Sequence, residues 1–394
     1  MHVVILSAEY PPFFIGGVGS FVKNLAAGLG KEGVKVTVIS GYPSFSRAKL
    51  FDVIEEKFPN INIIRYPYLN IHPKNAIFQL LNLKRLYETI KKINPDVIHG
   101  QGASTFPASI KLKKLAPLIV TFHSSPKINK TMGVYSILRG GSFYDFKINV
   151  LGYPVSSFIY KKEIRDSEVA VAVSRILALE LMEETSEAYK EKIYKIHNCI
   201  DIETLDKEYN SCNLKEMNDA ILFAGRMIWI KGTLLLIRLA RLLQREKIGL
   251  KLIIHGNGPL SKTVARKIQN YRLTNVELKG FSRGEQFISS LKRSGFVIIP
   301  SYYEACPMIL LESMCLGKIP VMFNLPFANE FTENGKYAIL ANNVNEMAEK
   351  LKVAYLKSDL KNFSNRIRSF ARKKYDIKNM VSKYLVLYRK ISRN

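Results

Sequence analysis

"HVVILSAEYPPFFIGGVGSFVKNLAAGLGKEGVKVTVIS", residues 2–40, reads as a strand, a glycine-rich loop, a helix and a second strand. Within the helix, Phe21, Leu25 and Leu29 recur at the i, i+4 and i+8 spacing of one helix face. Gly33 is suited to the turn that ends the helix. A strand–helix–strand unit of this kind predicts two parallel strands with the helix packed against their sheet.

The same alternation continues along the chain. "DVIHGQG" (96–102), "PLIVTFHSS" (117–125) and "SEVAVAVS" (167–174) each read as a buried strand that ends in a polar loop. After a polar, irregular stretch at 196–218, the pattern restarts with the strand "DAILFAGR" (219–226). Near-continuous apolar strands that alternate with helices are typical of a parallel sheet covered on both faces.

The sequence therefore predicts an α/β protein with two doubly wound domains of similar size, facing each other across a cleft. We expect an N-terminal domain at 1–205, a C-terminal domain at 206–375, and a last helix at 376–394 that crosses back to the N-terminal domain. In open α/β sheets, ligands bind beyond the carboxyl ends of the strands. The polar loops at those ends are therefore the candidate active site.

Composition limits the class of protein. The 394 residues are 47% hydrophobic and 23% charged, as in soluble globular proteins. No apolar run approaches the roughly 18 to 20 residues of a membrane span, and the N-terminus lacks the basic region of a signal peptide, so we expect a cytoplasmic protein. The four cysteines have no metal-binding or redox spacing and are expected to be reduced: Cys199, Cys212, Cys306 and Cys315.

The charge is strongly positive. Lysine and arginine number 59 against 33 acids, which gives a formal net charge of +26. Such an excess indicates an anionic partner: a nucleic acid, a membrane surface or a phosphorylated substrate. The alternative is a general bias toward lysine, isoleucine and asparagine.

Cations and glycines lie at two of the predicted strand ends. Arg226 and Lys231 flank the loop "GRMIWIKG", where a guanidinium and an ammonium next to a helix N-terminus would suit a diphosphate. Gly16 and Gly17 precede the first helix, where they would let a phosphate approach the backbone. The alternatives are solvated surface cations in the first loop and a bare tight turn in the second.

Two carboxylates surround the predicted start of a helix in "SYYEACPMILLESMCLGKIPV" (301–321). Pro307 suits the first helical position, and Gly317 suits the C-terminal stop. Glu304 then lies in the preceding loop, and Glu312 lies roughly 7 to 8 Å along the helix. The two carboxylates could contact separate parts of one extended ligand, although Glu312 alone would read as an exposed helix acid.

These motifs carry a resemblance that spans roughly residues 3 to 375. "GRMIWIKG", "HGNGP", "YYEACPMILLESMCLGKIPV" and "FANEFTENGKYAIL" resemble successive C-terminal motifs of the family-four retaining glycosyltransferases (glycosyl transferases group 1), which have the GT-B fold. "EYPPFFIGGVGSFVKNLA", "DVIHGQG", "VTFHSS" and "VAVSR" resemble the N-terminal half of that family, in the same order.

The resemblance implies a role for each matching residue. His123 would project toward the transferred sugar, and His99 would lie on the acceptor side, although an isolated histidine at a strand end is often structural. Glu304 would contact the donor sugar, with His123 as its catalytic partner. Arg226 and Lys231 would hold the diphosphate, and Glu312 would contact the ribose. The full set of residues that would bind the donor is Gly16, Gly17, Arg226, Lys231, Met308, Ile309 and Glu312.

The implied activity is retaining transfer of a hexose from a nucleotide diphosphate sugar to a glycan or lipid-linked acceptor. No D-x-D motif occurs, so we expect metal-independent catalysis and no cofactor. One alternative is a nucleotide-sugar epimerase of the same architecture. Another is a basic nucleic-acid-binding protein, although no helix-turn-helix, zinc or RRM-type motif supports that partner.

The positive charge also predicts a location. Cations cluster in "LNLKRLYETIKKI" (81–93), "SIKLKKLAP" (109–117) and "FIYKKEIR" (158–165), all in the predicted acceptor-side domain. We expect peripheral association with anionic lipid on the inner face of the cell membrane. The segment "FYDFKINVLGYPVSSFIY" (143–160) would dip into the bilayer, pack as a helix or cover the acceptor.

Overall fold

The structure is a computed structural model that describes residues 1–13, 16–44, 53–69, 74–139, 141, 143–282, 284–356 and 360–392. Its residue contacts divide the chain into two units. The first unit comprises Met1–Asn129, Gly152–Cys199 and Ile377–Asn394, and the second comprises Lys130–Leu151 and Ile200–Asp376. The chain thus leaves the first unit at Cys199, within the polar stretch and a few residues before the position expected from the sequence.

The first unit is built on an eight-stranded sheet with the order β3-β4-β2-β1-β5-β6-β7-β8. β3 and β4 pair antiparallel, and the other described pairs are parallel. The strands are β1 (His2–Ser7), β2 (Lys35–Ser44), β3 (Ile54–Phe58), β4 (Ile61–Leu69), β5 (Val97–Gln101), β6 (Leu118–Phe122), β7 (Val169–Ala172) and β8 (Ile193–Lys195). Its helices are α1 (Gly17–Lys31), α2 (Lys74–Ile93), α3 (Ser109–Leu115), α6 (Tyr153–Asp166) and α7 (Arg175–Glu184). Two further helices follow β6 in the chain: α4 (Pro126–Leu138), most of which lies in the second unit, and α5 (Phe143–Phe146), which lies wholly in the second unit.

The first helix shows why this sequence folds as predicted. Phe21, Leu25 and Leu29 are all buried, as their spacing on one helix face requires. α1 ends at Lys31, and Gly33 follows with φ +76°, a left-handed conformation that glycine adopts without strain. β1 then pairs with β2 in parallel, so the unit read from residues 2–40 is confirmed.

The second unit has a six-stranded sheet with the order β11-β10-β9-β12-β13-β14, and all its described pairs are parallel. Its strands are β9 (Ala220–Ala224), β10 (Lys251–His255), β11 (Val276–Gly280), β12 (Ser294–Ile299), β13 (Ile319–Phe323) and β14 (Ile339–Ala341). Its helices are α8 (Ile202–Ser211), α9 (Thr233–Arg245), α10 (Ser261–Asn270), α11 (Glu285–Arg293), α12 (Met308–Cys315), α13 (Pro326–Thr332), α14 (Val344–Leu356) and α15 (Leu360–Lys374).

The last helix, α16 (Ile377–Ile391), belongs to the first unit. Its Tyr384 and Tyr388 are fully buried in the core that also contains β1 and α1. α16 packs closely on α1, because a side chain at Gly28 would place its Cβ 2.5 Å from Val381 Cγ2. Burial of this face explains why the C-terminal residues return to the first sheet.

Two parallel-rich α/β sheets with interleaved helices confirm the predicted fold class. None of the described helices has both the length and the apolar composition needed to cross a membrane. The segment 143–160 is helical: α5, a π-helical turn at Lys147–Leu151, and the first half of α6.

Candidate functional site

Three loops of the second unit meet at the carboxyl edge of its sheet, after β9, β10 and β12. The Gly225 amide donates to the His255 carbonyl (3.0 Å), and the Met227 amide donates to the Asn257 carbonyl (3.0 Å). The Tyr302 amide donates to the Ile230 carbonyl (2.9 Å). The motifs "GRMIWIKG", "HGNGP" and "YYEAC" are therefore joined by their backbones into one surface.

Glycines allow this close approach. Gly232 has φ +66°, and a Cβ there would collide with the Pro300 carbonyl oxygen. Gly256 has φ +139°, and a Cβ there would collide with the Gly225 carbonyl oxygen. Any other residue at these positions would push the loops apart, so the glycines fix the geometry of the surface.

The centre of this surface is an ion pair between Lys231 and Glu304. Lys231 Nζ lies 2.6 Å from both carboxylate oxygens of Glu304, and Ser301 Oγ donates to Oε1 at 2.7 Å. Glu304 is only 8% exposed, whereas the Lys231 side chain retains 28%. An ammonium has three donors, so one donor of Lys231 stays available to a ligand. We call Arg226, Lys231, Ser301 and Glu304 the cationic cradle.

Arg226 and the start of α12 complete the cradle's surroundings. Arg226 is exposed, and its carbonyl accepts from the Ile228 amide (2.9 Å). α12 begins at Met308, one residue later than predicted, because Pro307 has an extended ψ of 112° and serves as the N-cap. Met308 and Ile309 are half-buried in the first turn, where amide groups lack intrahelical acceptors. Gly317 has φ +78° beyond the helix end and confirms the predicted stop.

Glu312 is the fifth residue of α12 and is half-buried. Burial raises the pKa of its carboxyl to about 7, with a further contribution from the charge of Glu208. Among the described residues, no side chain donates a hydrogen bond to this carboxylate. It is therefore a poorly solvated acceptor that a ligand hydroxyl could satisfy.

In the first unit, Gly16 and Gly17 lie at the N-terminus of the 15-residue α1. Both are exposed, Gly16 has an extended backbone (φ −145°), and among the described residues no side chain caps the helix. A Cβ at Gly16 would meet no heavy atom within 4 Å. This helix end therefore presents first-turn amides and a positive dipole end, a geometry that suits the ligand loop expected from the sequence.

His123 follows β6 and is half-buried. Its Nε2 lies 2.9 Å from Gln101 Oε1, and its ring packs edge-on against Phe21 at 4.8 Å. Burial lowers the pKa of His123 to about 4, so the imidazole is neutral at pH 7. With Gln101 Oε1 as acceptor, Nε2 carries the proton and Nδ1 is left as an acceptor.

His99 lies in a different environment from the one expected of an acceptor-side residue. Its ring is fully buried, with Nδ1 2.6 Å from Tyr388 Oη and Nε2 2.8 Å from Thr121 Oγ1. Burial, with a smaller effect of His123, lowers the pKa of His99 to about 3. Because the ring is fully buried and both of its nitrogens are hydrogen-bonded, it is not exposed to an acceptor substrate. The geometry therefore supports the structural alternative, in which His99 connects the first sheet to α16.

Some contacts could not have been read from the motifs. Trp229 and Tyr302 stack with ring centroids 4.4 Å apart beside the cradle. Arg139, from the part of the chain that follows α4, hydrogen-bonds Tyr302 within the second unit. Gln101, which orients His123, ends β5 and was visible only as part of "DVIHGQG". No pattern in the sequence indicates these pairings, because their partners lie far apart in the chain.

In the part of the chain that the structure describes, no three His, Cys, Asp or Glu side chains are grouped so as to hold a metal ion. The sequence profile of Glycosyltransferase Family 4 matches residues 15–204, and that of Glycosyl transferases group 1 matches residues 206–374. The chain belongs to the group 1 glycosyltransferases of the GT-B fold. It is therefore an enzyme, and the nucleic-acid-binding alternative is set aside.

One sequence relative and two structural neighbours illustrate what this glycosyltransferase is similar to. An uncharacterized glycosyltransferase of Methanocaldococcus jannaschii is 26% identical over 336 residues, which are 80% of this chain and 79% of that protein. Sucrose-phosphate synthase of Thermosynechococcus elongatus superposes with a TM-score of 0.78 at 16% identity, covering 99% of this chain and 98% of that one. HepE of Anabaena, solved with UDP and glucose, superposes with a TM-score of 0.71 at 15% identity, covering 98% and 99%.

Proposed function

We propose that this glycosyltransferase moves a hexose from a nucleotide diphosphate sugar to a glycan or lipid-linked acceptor, with retention of configuration and without a metal ion. The observation that carries the proposal is the cationic cradle beside the N-terminus of α12. Two cations and a helix dipole favour a diphosphate at that place. A neighbour of the same fold, HepE, was solved with UDP and glucose, which supports a nucleotide-sugar donor.

In this proposal the second unit binds the donor. Arg226 and the free donor of Lys231 hold the diphosphate, together with the first-turn amides of α12 at Met308 and Ile309. Glu312 accepts hydrogen bonds from the ribose hydroxyls further along the helix. Glu304, held by Lys231 and Ser301, contacts the sugar.

The first unit orients the reacting sugar. His123 is neutral and directed by Gln101, so it offers a hydrogen-bond acceptor to a sugar hydroxyl without adding charge. In this proposal the helix end at Gly16 and Gly17 would offer its amides to the donor phosphate or the acceptor. Both contacts serve to hold the sugar in the geometry that reacts.

The chemistry passes through an oxocarbenium-like state. The bond between the sugar C1 and the phosphate oxygen breaks, and the acceptor oxygen bonds to C1 on the same face. The acceptor proton goes to a phosphate oxygen of the leaving diphosphate. Negative charge grows on that diphosphate, and Arg226 and Lys231 stabilise it electrostatically.

A metal ion has the same task in many transferases, and here the protein's own cations would perform it. Protein treated with EDTA is expected to release nucleoside diphosphate from a nucleotide hexose as fast as untreated protein does. The assay uses a panel of UDP-, GDP- and ADP-hexoses to identify the donor. Activity that disappears with EDTA and returns with magnesium or manganese would refute metal independence.

We further propose that the acceptor is met at the cytoplasmic face of an anionic membrane, with no nucleic acid as partner. The net charge of +26 supports this location, because anionic lipid attracts each nearby lysine or arginine by about 1 kcal/mol. The attraction is screened by salt, so the association would be peripheral and reversible.

Glu312→Gln is expected to separate stability from binding. The pKa of Glu312 in the folded protein is about 7, above the ordinary value of about 4.3. A raised carboxyl pKa costs folding free energy once the pH exceeds the unfolded value, and the cost grows until about pH 7. The ligand-free variant should therefore melt higher than wild type at pH 8 and equally at pH 4.

The same variant should bind nucleoside diphosphate at least about tenfold more weakly at pH 8, since the charged ribose acceptor is lost. The difference in nucleoside diphosphate affinity between wild type and the variant should become smaller as the pH falls from 7 to 5. Calorimetric titration at several pH values measures both, with the exposed Glu349→Gln in the same unit as control. Equal affinities at pH 8 would show that Glu312 does not touch the nucleotide.

A further inference from the structure

Two helices of the first unit, α2 and α6, expose apolar side chains in their early turns. We call these residues the rim: Leu80, Leu81, Val155 and Phe158. Each is about half exposed or more. Both helices contact the turn at Gly102–Ser104 that follows β5, so the four side chains border the same part of the sheet edge. Single exposed apolar residues are ordinary, but four on neighbouring helices form a patch of the kind that marks an interaction site.

Cations are exposed in the later turns of these two helices and along α3. We call this set the band: Lys84, Lys91, Lys92, Lys111, Lys114, Lys161 and Arg165. Among the described side chains of the three helices, Glu88 is the exposed acid, whereas Glu163 and Asp166 are buried. Along α2 and α6 the surface therefore changes from apolar to positively charged.

The three helices form one continuous surface. α3 contacts both α2 and α6. Ser109 Oγ, at the start of α3, donates to Asp166 Oδ2 at the end of α6 (2.6 Å). The rings of Phe106 and Phe158 lie 6.2 Å apart and link the loop after β5 to the rim. Rim and band are thus neighbours in space and not only in sequence.

The rim lies at the edge of the sheet that carries His123. Tyr160 Oη on α6 is 3.1 Å from Ser124 Oγ, and Ser124 directly follows His123. Phe158 and Val155 precede Tyr160 on the helix, so they lie at or beyond that level. Arg165 follows Phe158 by roughly 10 Å along the axis, on the side away from the strand ends. On α6, the apolar residues are therefore nearer the edge of the sheet that carries His123, and Arg165 is farther from that edge.

We propose that the rim and band dock on an anionic lipid bilayer, with the rim at the boundary between headgroups and acyl chains and the band among the lipid phosphates. Amphipathic helices at such surfaces bury apolar side chains about 5 to 10 Å into that boundary, which matches the spacing between rim and band. This arrangement would turn the His123 edge toward a lipid-linked acceptor. The acceptor's nature rests on the proposed function, whereas the docking does not.

The charge of the band favours a bilayer as the partner of this surface over a second copy of the chain or another protein. Seven exposed cations face solvent with one exposed acid among them, which is complementary to a surface of uniform negative charge. A second copy of this face would oppose like charges. A protein partner would need an acidic surface bordering an apolar one, so it is an outcome for the experiment to detect.

Flotation of the full-length protein with vesicles tests the proposal. Vesicles of phosphatidylcholine alone are compared with vesicles that contain 30 mol% phosphatidylglycerol, a ratio chosen as about that of an anionic membrane. Wild type should float with the anionic vesicles at low salt and not with the neutral ones. Binding should weaken as salt rises, because the screening length falls to about 3 Å at 1 M.

A triple variant of the band and a double variant of the rim, each with a matched control, locate the surface. Lys84→Gln, Lys111→Gln and Lys114→Gln together should weaken binding on the order of a hundredfold. Val155→Ser and Phe158→Ser together should leave low-salt binding but lower the salt concentration at which protein is released. The charge control changes Lys190, Lys195 and Lys383 to Gln, and the apolar control changes Leu179 and Val386 to Ser, all exposed elsewhere in the first unit. Both controls should float like wild type.

Three results would overturn the docking proposal: no flotation of wild type, equal binding to neutral and anionic vesicles, or equal losses in the band variant and its charge control. If sedimentation shows that wild type is a dimer and that the rim variant is a monomer, this face binds a second copy of the chain instead. Transfer to a short soluble acceptor is measured alongside. Flotation without transfer would refute the proposed function, and transfer without flotation would refute the docking.

Discussion

Replacing Lys231 by alanine is expected to lower kcat/KM for the donor by about a thousandfold. The substitution removes one of the two cations that, in our proposal, contact the leaving diphosphate, where charge develops as the bond to the sugar breaks. It also leaves the carboxylate of Glu304, 8% exposed and 2.6 Å from Lys231 Nζ, without its ionic partner. A buried charge that loses its partner destabilises the fold, so the variant should also melt at a lower temperature.

The double variant Lys231→Ala with Glu304→Gln separates these two effects. It removes the unpaired charge and should recover much of the melting temperature, but it should recover none of the turnover. Lys361→Ala, which removes an exposed lysine of the same unit, should retain wild-type kinetics and stability. Wild-type turnover in a folded Lys231→Ala protein would show that Lys231 does not act on the diphosphate.

Replacing Glu304 by glutamine is expected to lower kcat by about a hundredfold while free nucleoside diphosphate binds as well as before or better. Glu304 contacts the sugar in our proposal, and the free nucleotide has no sugar. The carboxylate also occupies two of the three donors of Lys231, and the amide would hold them less strongly. The released ammonium would then be more available to the phosphates.

Steady-state kinetics with the whole donor and calorimetry with the nucleoside diphosphate give the two readings for this variant. The control is Glu285→Gln, which neutralises an exposed acid of the same unit. A Glu304→Gln protein that transfers sugar at the wild-type rate would refute the role of residue 304. A parallel loss of nucleotide affinity would mean that Glu304 positions the cradle rather than the sugar.

The fold was predictable because each signal is local. Apolar runs such as those at β5 and β6 are completely buried, and the glycines at 33 and 317 adopt the positive φ that ends each helix. The antiparallel hairpin of β3 and β4 was not predicted. Every residue of β3 is at least partly exposed, so no buried run marks the strand. α16 was expected to cross back, and its buried tyrosines give the physical reason.

The site was predictable only in part, because contacts between distant residues leave no local pattern. Lys231 and Glu304 were assigned to different parts of the ligand, yet 73 positions apart they form one ion pair. In the sequence, His99 and His123 both read as residues just past an apolar strand, but His99 lies within β5 and only His123 follows its strand. Their sequence contexts do not reveal that Tyr388, 289 positions away, closes over His99 while His123 stays half-buried.

The central claim is retaining, metal-independent transfer from a nucleotide diphosphate hexose. The most direct measurement is proton NMR of the hexose that EDTA-treated wild-type protein releases or transfers from an α-linked donor, recorded within the first minutes before mutarotation. The account predicts that the first sugar product is the α anomer and that nucleoside diphosphate appears with it in equal amount. A β anomer as first product, or no nucleoside diphosphate from any hexose donor of the panel, would contradict it.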